Sequence, residues 1–241
     1  MLRLLGTASD RHARGQIVKF HLLDTHPASD GPHDPHDPVE IDRMWYSTLT
    51  NDRDVIERLL NPVSARDHLL RIRASPLLDH PRLYRVALKR AGQRESTNLL
   101  HDEFADDFTD YLALLPPVRH MIAEDVPAGY VLAQFYDAMC LRTECGRIIV
   151  ISEVLRYFLY FMTLANLEMV GFEEIPPSVA GSALTIAART MAMNEALDFD
   201  LDPRGTIPPR IDFIVNDLVD WQMRFIIGHE YAHHALGHVG P

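Results

Sequence analysis

Cysteine is scarce in this sequence, whose 241 residues include only Cys140 and Cys145. A secreted protein that depends on disulfide bonds for its stability carries many more cysteines than this. We expect both residues to be buried free thiols, the common state of an unpaired cysteine. The scarcity of cysteine indicates a reducing compartment, and the predicted location is the cytoplasm.

Positive charge is scarce as well. The sequence has 23 Lys and Arg residues against 34 Asp and Glu residues, and its formal net charge is −11. Proteins that bind nucleic acids neutralise phosphate groups with clustered Lys and Arg side chains. We therefore expect no nucleic-acid partner.

The sequence lacks a long uninterrupted apolar run. Its most apolar stretch, residues 148–170, contains Glu153, Arg156 and Glu168, whereas a membrane-spanning helix needs about 20 consecutive, mainly apolar residues. The N-terminal Met-Leu-Arg-Leu-Leu is followed by polar and charged residues rather than by the apolar segment of a signal peptide. We expect residues 148–170 to form a buried helix and the protein to have no membrane span.

Proline and glycine divide the rest of the chain. Residues 24–38 contain four prolines and one glycine, which indicates a mobile loop. Periodicity and capping residues predict helices at 51–60, at 64–73, at 81–93, from Ser96 or Thr97 to Leu115, from Ser152 to about Val170, at 178–197 and from about Arg210 onward. Residues 142–146 read as a turn and 147–151 as a strand, while residues 130–141 fit either a helix or a strand. The predicted fold class is mainly α with a small β-sheet (α+β), with a helical region at 1–126 and a second region at 127–241.

The final predicted helix carries the pattern His-Glu-x-x-His, with His229, Glu230 and His233. Residues four apart on a helix lie on the same face, so the imidazoles of His229 and His233 can bind one metal ion. Glu230 is about 100° round from His229 and can reach a water on the ion. Zinc lowers the pKa of its bound water to about 7, so a carboxylate can take up the water's proton and later deliver it to a leaving amine.

The surroundings of the motif strengthen this interpretation. An apolar turn formed by Phe225, Ile226 and Ile227 precedes His229, and it indicates that the three polar residues are buried together. Burial of two histidines and a glutamate is costly unless a metal or partners satisfy them. The helix itself is predicted to pack through an apolar face and to form without the metal. That face consists of Ile214, Leu218, Trp221 and Phe225.

The string His-Glu-Tyr-Ala-His-His-Ala-Leu-Gly-His at 229–238 resembles the active-site helix of prokaryotic gluzincins, especially the ImmA/IrrE type and the Lit phage-exclusion type. The strand at 147–151 and the helix that follows it are similar to the sheet edge and supporting helix that precede the motif in those proteins. The resemblance implies a zincin-like core that ends in this helix. It also implies Zn²⁺ as the cofactor and endopeptidase activity on an intracellular protein or peptide.

Gluzincins take a third zinc ligand, usually a Glu, from a helix downstream of the second His, but only eight residues follow His233 and none is acidic. Three positions are then open for the third ligand: a segment beyond Pro241, a residue upstream of the motif, or His238. In the first case, residues 127–241 would be a core that lacks its C-terminal part. The upstream candidates are Cys140, Cys145, Glu173, Glu174 and Glu195. If the third ligand lies beyond Pro241, we expect residues 1–241 to bind zinc weakly. We also expect no third ligand atom within about 2.3 Å of the position where His229 and His233 would hold the ion.

His238 is the least favoured of these candidates. On a continued helix it would point about 140° away from His233, and Gly237 alone is too little chain to reverse that direction. We expect His238 to be a helix-end residue, where the helix dipole favours a histidine. His234 is expected to lie on the flank of the helix.

Two functions fit the sequence. The first is a zinc-dependent endopeptidase of an intracellular protein, in which Glu230 activates a zinc-bound water. The second is a non-catalytic metal-binding or regulatory protein that keeps a remnant of the zincin helix. The missing third ligand favours the second function, whereas the intact Glu230 favours the first, because a non-catalytic zinc site needs no carboxylate beside its ligand.

Overall fold

The computed structural model describes residues 37–133, 137–171, 174–192 and 202–238. Within these ranges the chain forms nine α-helices and one three-stranded sheet, which confirms a mainly helical protein with a small sheet. The elements in chain order are α1 (Pro38–Ser47), α2 (Arg53–Leu60), α3 (Ala65–Asp79), α4 (Pro81–Gln93), α5 (Ala105–Ala113), α6 (Pro117–Glu124), β1 (Ala128–Val131), β2 (Ala138–Thr143), β3 (Gly146–Ser152), α7 (Glu153–Met169), α8 (Pro177–Met191) and α9 (Pro209–Ala235).

Strand β3 is the centre of the sheet, whose strand order is β1-β3-β2. It pairs in parallel with β1, where Gly129 lies beside Val150, and antiparallel with β2, where Cys140 lies beside Ile149. The β-branched run from Ile148 to Ile151 is fully buried, because both faces of the strand are covered. Strand β2 is therefore an edge strand, and its outer side is turned away from β3.

Side-chain caps or prolines in the first turn mark most of the helix starts. The Ser152 side chain accepts a hydrogen bond from the backbone N–H of Val154, so β3 passes directly into α7 at the predicted residue. Pro38 and Pro117, which the sequence placed in a loop and at a break, instead occupy the first positions of α1 and α6. Proline is favourable there because its missing N–H is not needed. The remainder of the predicted loop at 24–38 falls outside the described residues, except for Asp37, which caps α1.

Three predicted helices have different bounds in the structure, and one of them, predicted at 178–197, ends at Met191. The helix expected from Ser96 or Thr97 begins only at Ala105, because residues 96–104 form turns. The helix expected to end at Arg73 continues to Asp79, with Pro76 inside it. The ambiguous stretch at 130–141 contains the end of β1 and most of β2, and residues 134–136 within it are not described. No helix in the described residues has the length and apolar character that crossing a membrane requires.

Helix α9 packs through a different face from the one that the sequence predicted. Its buried apolar residues repeat every four positions and are Ile211, Val215, Val219, Met223 and Ile227, each fully buried. They pack against α7, α5 and β2. The predicted face is wrong: Leu218, Trp221 and Phe225 are exposed, and Ile214 is only partly buried. Both rows are apolar, so local periodicity alone could not select between them.

The substitution Gly129→Ala should destabilise the fold. Arg73 donates hydrogen bonds to Asp102 (2.7 Å) and to the Tyr130 carbonyl (3.0 Å), which ties α3 to β1. A Cβ at position 129 would collide with the Arg73 guanidinium, so we expect the free energy of unfolding to fall by about 1–3 kcal/mol. Urea denaturation followed by circular dichroism measures this change.

Gly181→Ala is the matched control, because Gly181 lies inside α8 with open space around its Cα. Removing a helical glycine there should raise the free energy of unfolding by up to about 1 kcal/mol. Equal effects of the two substitutions would contradict the close packing of β1 on Arg73.

Candidate metal centre

The last two turns of α9 bring His229 and His233 together. Their Nε2 atoms are 2.9 Å apart, and their rings are nearly perpendicular, with centroids 4.5 Å apart. With Glu230 they form the one group of His, Cys, Asp or Glu side chains in the described ranges whose donor atoms all lie within 4.8 Å. The helix therefore brings two imidazole nitrogens and a carboxylate close enough to contact one ion, as the spacing of the motif predicts.

The three residues differ in burial. Glu230 is only 6% exposed, His233 is half-buried and His229 is exposed. The expectation that all three are buried together is therefore wrong for His229. His229 lies one turn after Phe225, which is 77% exposed, so it shares the exposed side of the helix. Glu230 lies three residues after the fully buried Ile227 and shares the buried side. The site is thus open on the imidazole side and closed around the carboxylate.

Strand β2 supplies a hydrogen bond to the Glu230 carboxylate from the backbone N–H of Cys140. This N–H lies at the outer edge of the sheet, on the side that β3 does not use. Burial raises the pKa of Glu230, and the neighbouring His233, His229 and Cys140 N–H partly offset that effect. Such a carboxylate is a stronger base than an exposed glutamate, while it remains within reach of the two imidazoles.

Arg147, at the start of β3, holds the C-terminal turn of α9. Its Nη1 donates a hydrogen bond to the carbonyl oxygen of His234 at 2.9 Å. The last carbonyls of a helix have no partner within the helix, so this contact satisfies one of them and fixes the turn that carries His233. Burial, together with the Arg147 charge, lowers the pKa of His234. His234 therefore lies on the flank of the helix, as expected, and contributes its backbone rather than a metal ligand.

His238 lies closer to the site than the sequence suggested. Gly237 has φ +67° and ends the helix, and the backbone N–H of His238 bonds to the carbonyl of His233 at 3.0 Å. This turn brings Nδ1 of His238 to 3.2 Å from Nδ1 of His233. One glycine in the left-handed conformation is therefore enough to reverse the chain, which corrects our argument from a continued helix. The contact is on the ring nitrogen that does not face His229, so it orients His233 and leaves Nε2 available.

The other candidates for a third ligand do not join the group. In the described residues, neither Cys140 nor Cys145 has its sulfur among the converging atoms. Both thiols are free, Cys140 is half-buried and Cys145 is exposed, so the prediction of two buried thiols is wrong for Cys145. Glu174 instead pairs with Arg210 at 2.8 Å, at the opposite end of α9. The candidates Glu173 and Glu195 lie outside the described residues.

The donor set fits zinc. Two nitrogens on a tetrahedral zinc ion with bonds of about 2.0–2.1 Å lie roughly 3.4 Å apart, close to the 2.9 Å between the two Nε2 atoms. Small side-chain rotations would open the pair to that separation. The arrangement can therefore hold one such ion between His229 and His233, with Glu230 beside it.

Comparisons of this chain with protein-family models, with curated proteins and with solved structures give no match. The resemblance of the motif to gluzincins therefore stays a prediction.

Replacing Arg147 should weaken metal binding more than it weakens the fold. Arg147→Met removes the donor to the His234 carbonyl. Since Arg147 supports the helix turn and not a ligand itself, we expect zinc affinity to fall by about 10-fold at most, the lower end of the range for residues that bond a ligand directly. Competition titration with a zinc-binding dye gives the affinity, and thermal unfolding of the metal-free protein gives the stability.

Arg142→Met is the matched control, because Arg142 lies opposite Arg147 in the same strand pair but is exposed. Both variants remove one positive charge. If they change zinc affinity equally, the effect is one of charge, and Arg147 does not position the helix end.

Proposed function

We propose that this chain is a zinc-dependent peptidase in which His229 and His233 bind the metal and Glu230 is the general base. The observation that carries this proposal is the burial of Glu230 beside two converging imidazole nitrogens. A carboxylate buried in this way is costly, and a site that only stores a metal does not require it. The arrangement favours catalysis over a purely structural metal site.

Each residue has a role in this proposal. Zinc, when bound, supplies a water of lowered pKa and polarises the carbonyl of a substrate. The Glu230 carboxylate accepts the proton of the attacking water and then donates it to the leaving amine, and its raised pKa suits both transfers. The contact between His238 and His233 keeps the His233 ring in the orientation that presents Nε2.

The edge strand favours a peptide as the substrate. The outer side of β2 has no neighbouring strand in the described part of the sheet. An extended peptide can add to such an edge through main-chain hydrogen bonds. The Cys140 N–H at this edge is already bonded to Glu230, so a peptide that pairs with the other outward main-chain groups of β2 would pass directly beside the base. A zincin-like core at 127–241, acting on an intracellular protein, is the form of the proposal that the gluzincin resemblance suggests.

A non-catalytic metal-binding or regulatory protein is the second candidate function. The observation that favours it is the number of ligands, because in the described residues only the imidazole nitrogens of His229 and His233 converge beside Glu230, whereas a catalytic zinc site has three protein ligands. The two functions differ in what Glu230 does, so a substitution at this position separates them.

The metal proposal predicts a graded response to histidine substitutions. His229→Ala and His233→Ala should each lower zinc affinity by orders of magnitude, because each removes a ligand. His238→Ala should lower it by about 10-fold, the effect typical of a residue that only orients a ligand. Isothermal titration with zinc, together with elemental analysis, gives the affinity and the stoichiometry.

His101→Ala is the control, because His101 is exposed in the loop before α5 and outside the group. It should bind zinc as the unchanged protein does. Zinc affinity that is insensitive to His229→Ala and His233→Ala would refute the proposed site.

The catalytic proposal predicts that Glu230→Gln keeps the fold and the zinc but abolishes hydrolysis, because an amide cannot accept the water's proton. A proteome-derived peptide library incubated with the zinc-loaded protein, with new termini read by mass spectrometry, measures the activity. Glu144→Gln, in the exposed turn between β2 and β3, should cleave at the unchanged rate. Cleavage by Glu230→Gln at that same rate would exclude Glu230 as the base. The absence of cleavage by the unchanged, zinc-loaded protein would instead support the non-catalytic alternative.

A further inference from the structure

Helix α9 has a second apolar row that the chain does not bury. Ile214, Leu218, Trp221 and Phe225 follow one another at intervals of four, three and four residues, which is the spacing of a coiled-coil seam. Leu218 is 39% exposed, Trp221 59% and Phe225 77%, while Ile214 is partly buried. At about 100° per residue, the centre of this row lies about 130° round α9 from the centre of the buried row. We call it the outer seam.

We propose that the outer seam is the interface between two copies of this chain, packed antiparallel along α9. In an antiparallel helix pair, the numbers of facing residues add to a constant. If Leu218 faces Trp221 of the partner subunit, the constant is 439, and the same register places Ile214 against Phe225 of the partner subunit. One register therefore pairs an aliphatic with an aromatic side chain in every layer of the seam.

Charge complementarity supports the same register. Asp217 and Arg224 directly precede Leu218 and Phe225, so both flank the outer seam on one side. Two-fold symmetry places Asp217 opposite Arg224 of the partner subunit. The two positions differ by two residues from exact register, an offset of about 3 Å along the helix axis at 1.5 Å per residue. The symmetry creates this ion pair twice in the dimer. Arg224 lies over the Trp221 ring at 4.9 Å and is 3.9 Å from Asp110. In the described part of the chain, Asp217 has no ion-pair partner of its own.

These features specify the occupant. A row of apolar residues at 3.5-residue spacing packs against another helix. The opposite charges of Asp217 and Arg224 come together when that helix is a second copy of α9 running in the reverse direction. The exposed area sets the strength: a fully buried aromatic side chain covers about 150–250 Å², so three or four seam residues per copy fall short of the roughly 800 Å² per partner in a standard interface. The dimer is therefore weak and depends on concentration.

Sedimentation velocity over about a 100-fold range of protein concentration tests the proposal, with a chelator present so that the exposed His229 cannot bridge two copies through a metal. The unchanged chain should pass from monomer to dimer as concentration rises. Phe225→Glu should raise the dissociation constant at least 10-fold, because it places a charge in each seam layer that contains residue 225. A chain that remains monomeric throughout overturns the proposal.

Phe213→Glu is the matched control. Phe213 is 72% exposed, almost as much as Phe225, and lies on the same helix, but it is about 110° round from the centre of the outer seam. It should dimerise as the unchanged chain does, and circular dichroism should show the same helix content in both variants. If the two substitutions weaken association equally, general surface hydrophobicity rather than the outer seam drives it, and the proposal fails.

A charge exchange tests the antiparallel register. Asp217→Arg alone and Arg224→Asp alone each place like charges across both symmetric contacts, so each should weaken the dimer several-fold. The double variant with both substitutions restores opposite charges and should recover the original dissociation constant. If the double variant is as weak as the single variants, the antiparallel register is wrong.

Discussion

Helix α9 can bury only one of its two apolar rows within the chain, and this choice sets the position of every residue in the candidate site. The row from Ile211 to Ile227 packs against α7, α5 and β2. Because the helix continues without a break into its last turns, the rotation set by this packing carries through to the motif. Glu230 therefore points inward to β2 and His229 points outward, while His233 lies between them. The division between a buried base and accessible imidazoles is a consequence of hydrophobic packing several turns away.

The sheet holds the other end of this arrangement. Cys140 in β2 donates to the Glu230 carboxylate, and Arg147 in β3 donates to the His234 carbonyl. Both contacts come from the β2–β3 hairpin, so they fix the position of the end of α9 relative to this hairpin. A buried carboxylate without a donor would be strongly disfavoured, and the Cys140 N–H lessens that cost. The β2–β3 hairpin thus stabilises the Glu230 carboxylate, and the outer edge of β2 lies beside that carboxylate.

Local signals in the sequence predicted the parts that depend on neighbouring residues. The start of α7 at Ser152, the strand at 147–151 and the convergence of His229 with His233 all follow from capping, β-branching and helical spacing. The contacts of Arg147 and the Cys140 N–H join residues 87 and 90 positions apart, and no local pattern encodes them. His238 was misjudged for a different reason, because one left-handed glycine reverses the chain more sharply than a continued helix allows.

The choice of the buried row on α9 was the largest error, and its physical origin connects the site to the outer surface. Periodicity showed that Leu218, Trp221 and Phe225 form a row, but it could not show what covers them, because burial depends on the partner that each row meets. The β-branched residues of the inner row suit close contact with α7 and β2, whereas the bulky aromatic residues of the outer row project outward. A helix with two apolar rows and a metal-binding end can hold its site with one row and be free to associate through the other. The inner row determines the geometry of His229, Glu230 and His233, so association through the outer seam would leave that geometry unchanged.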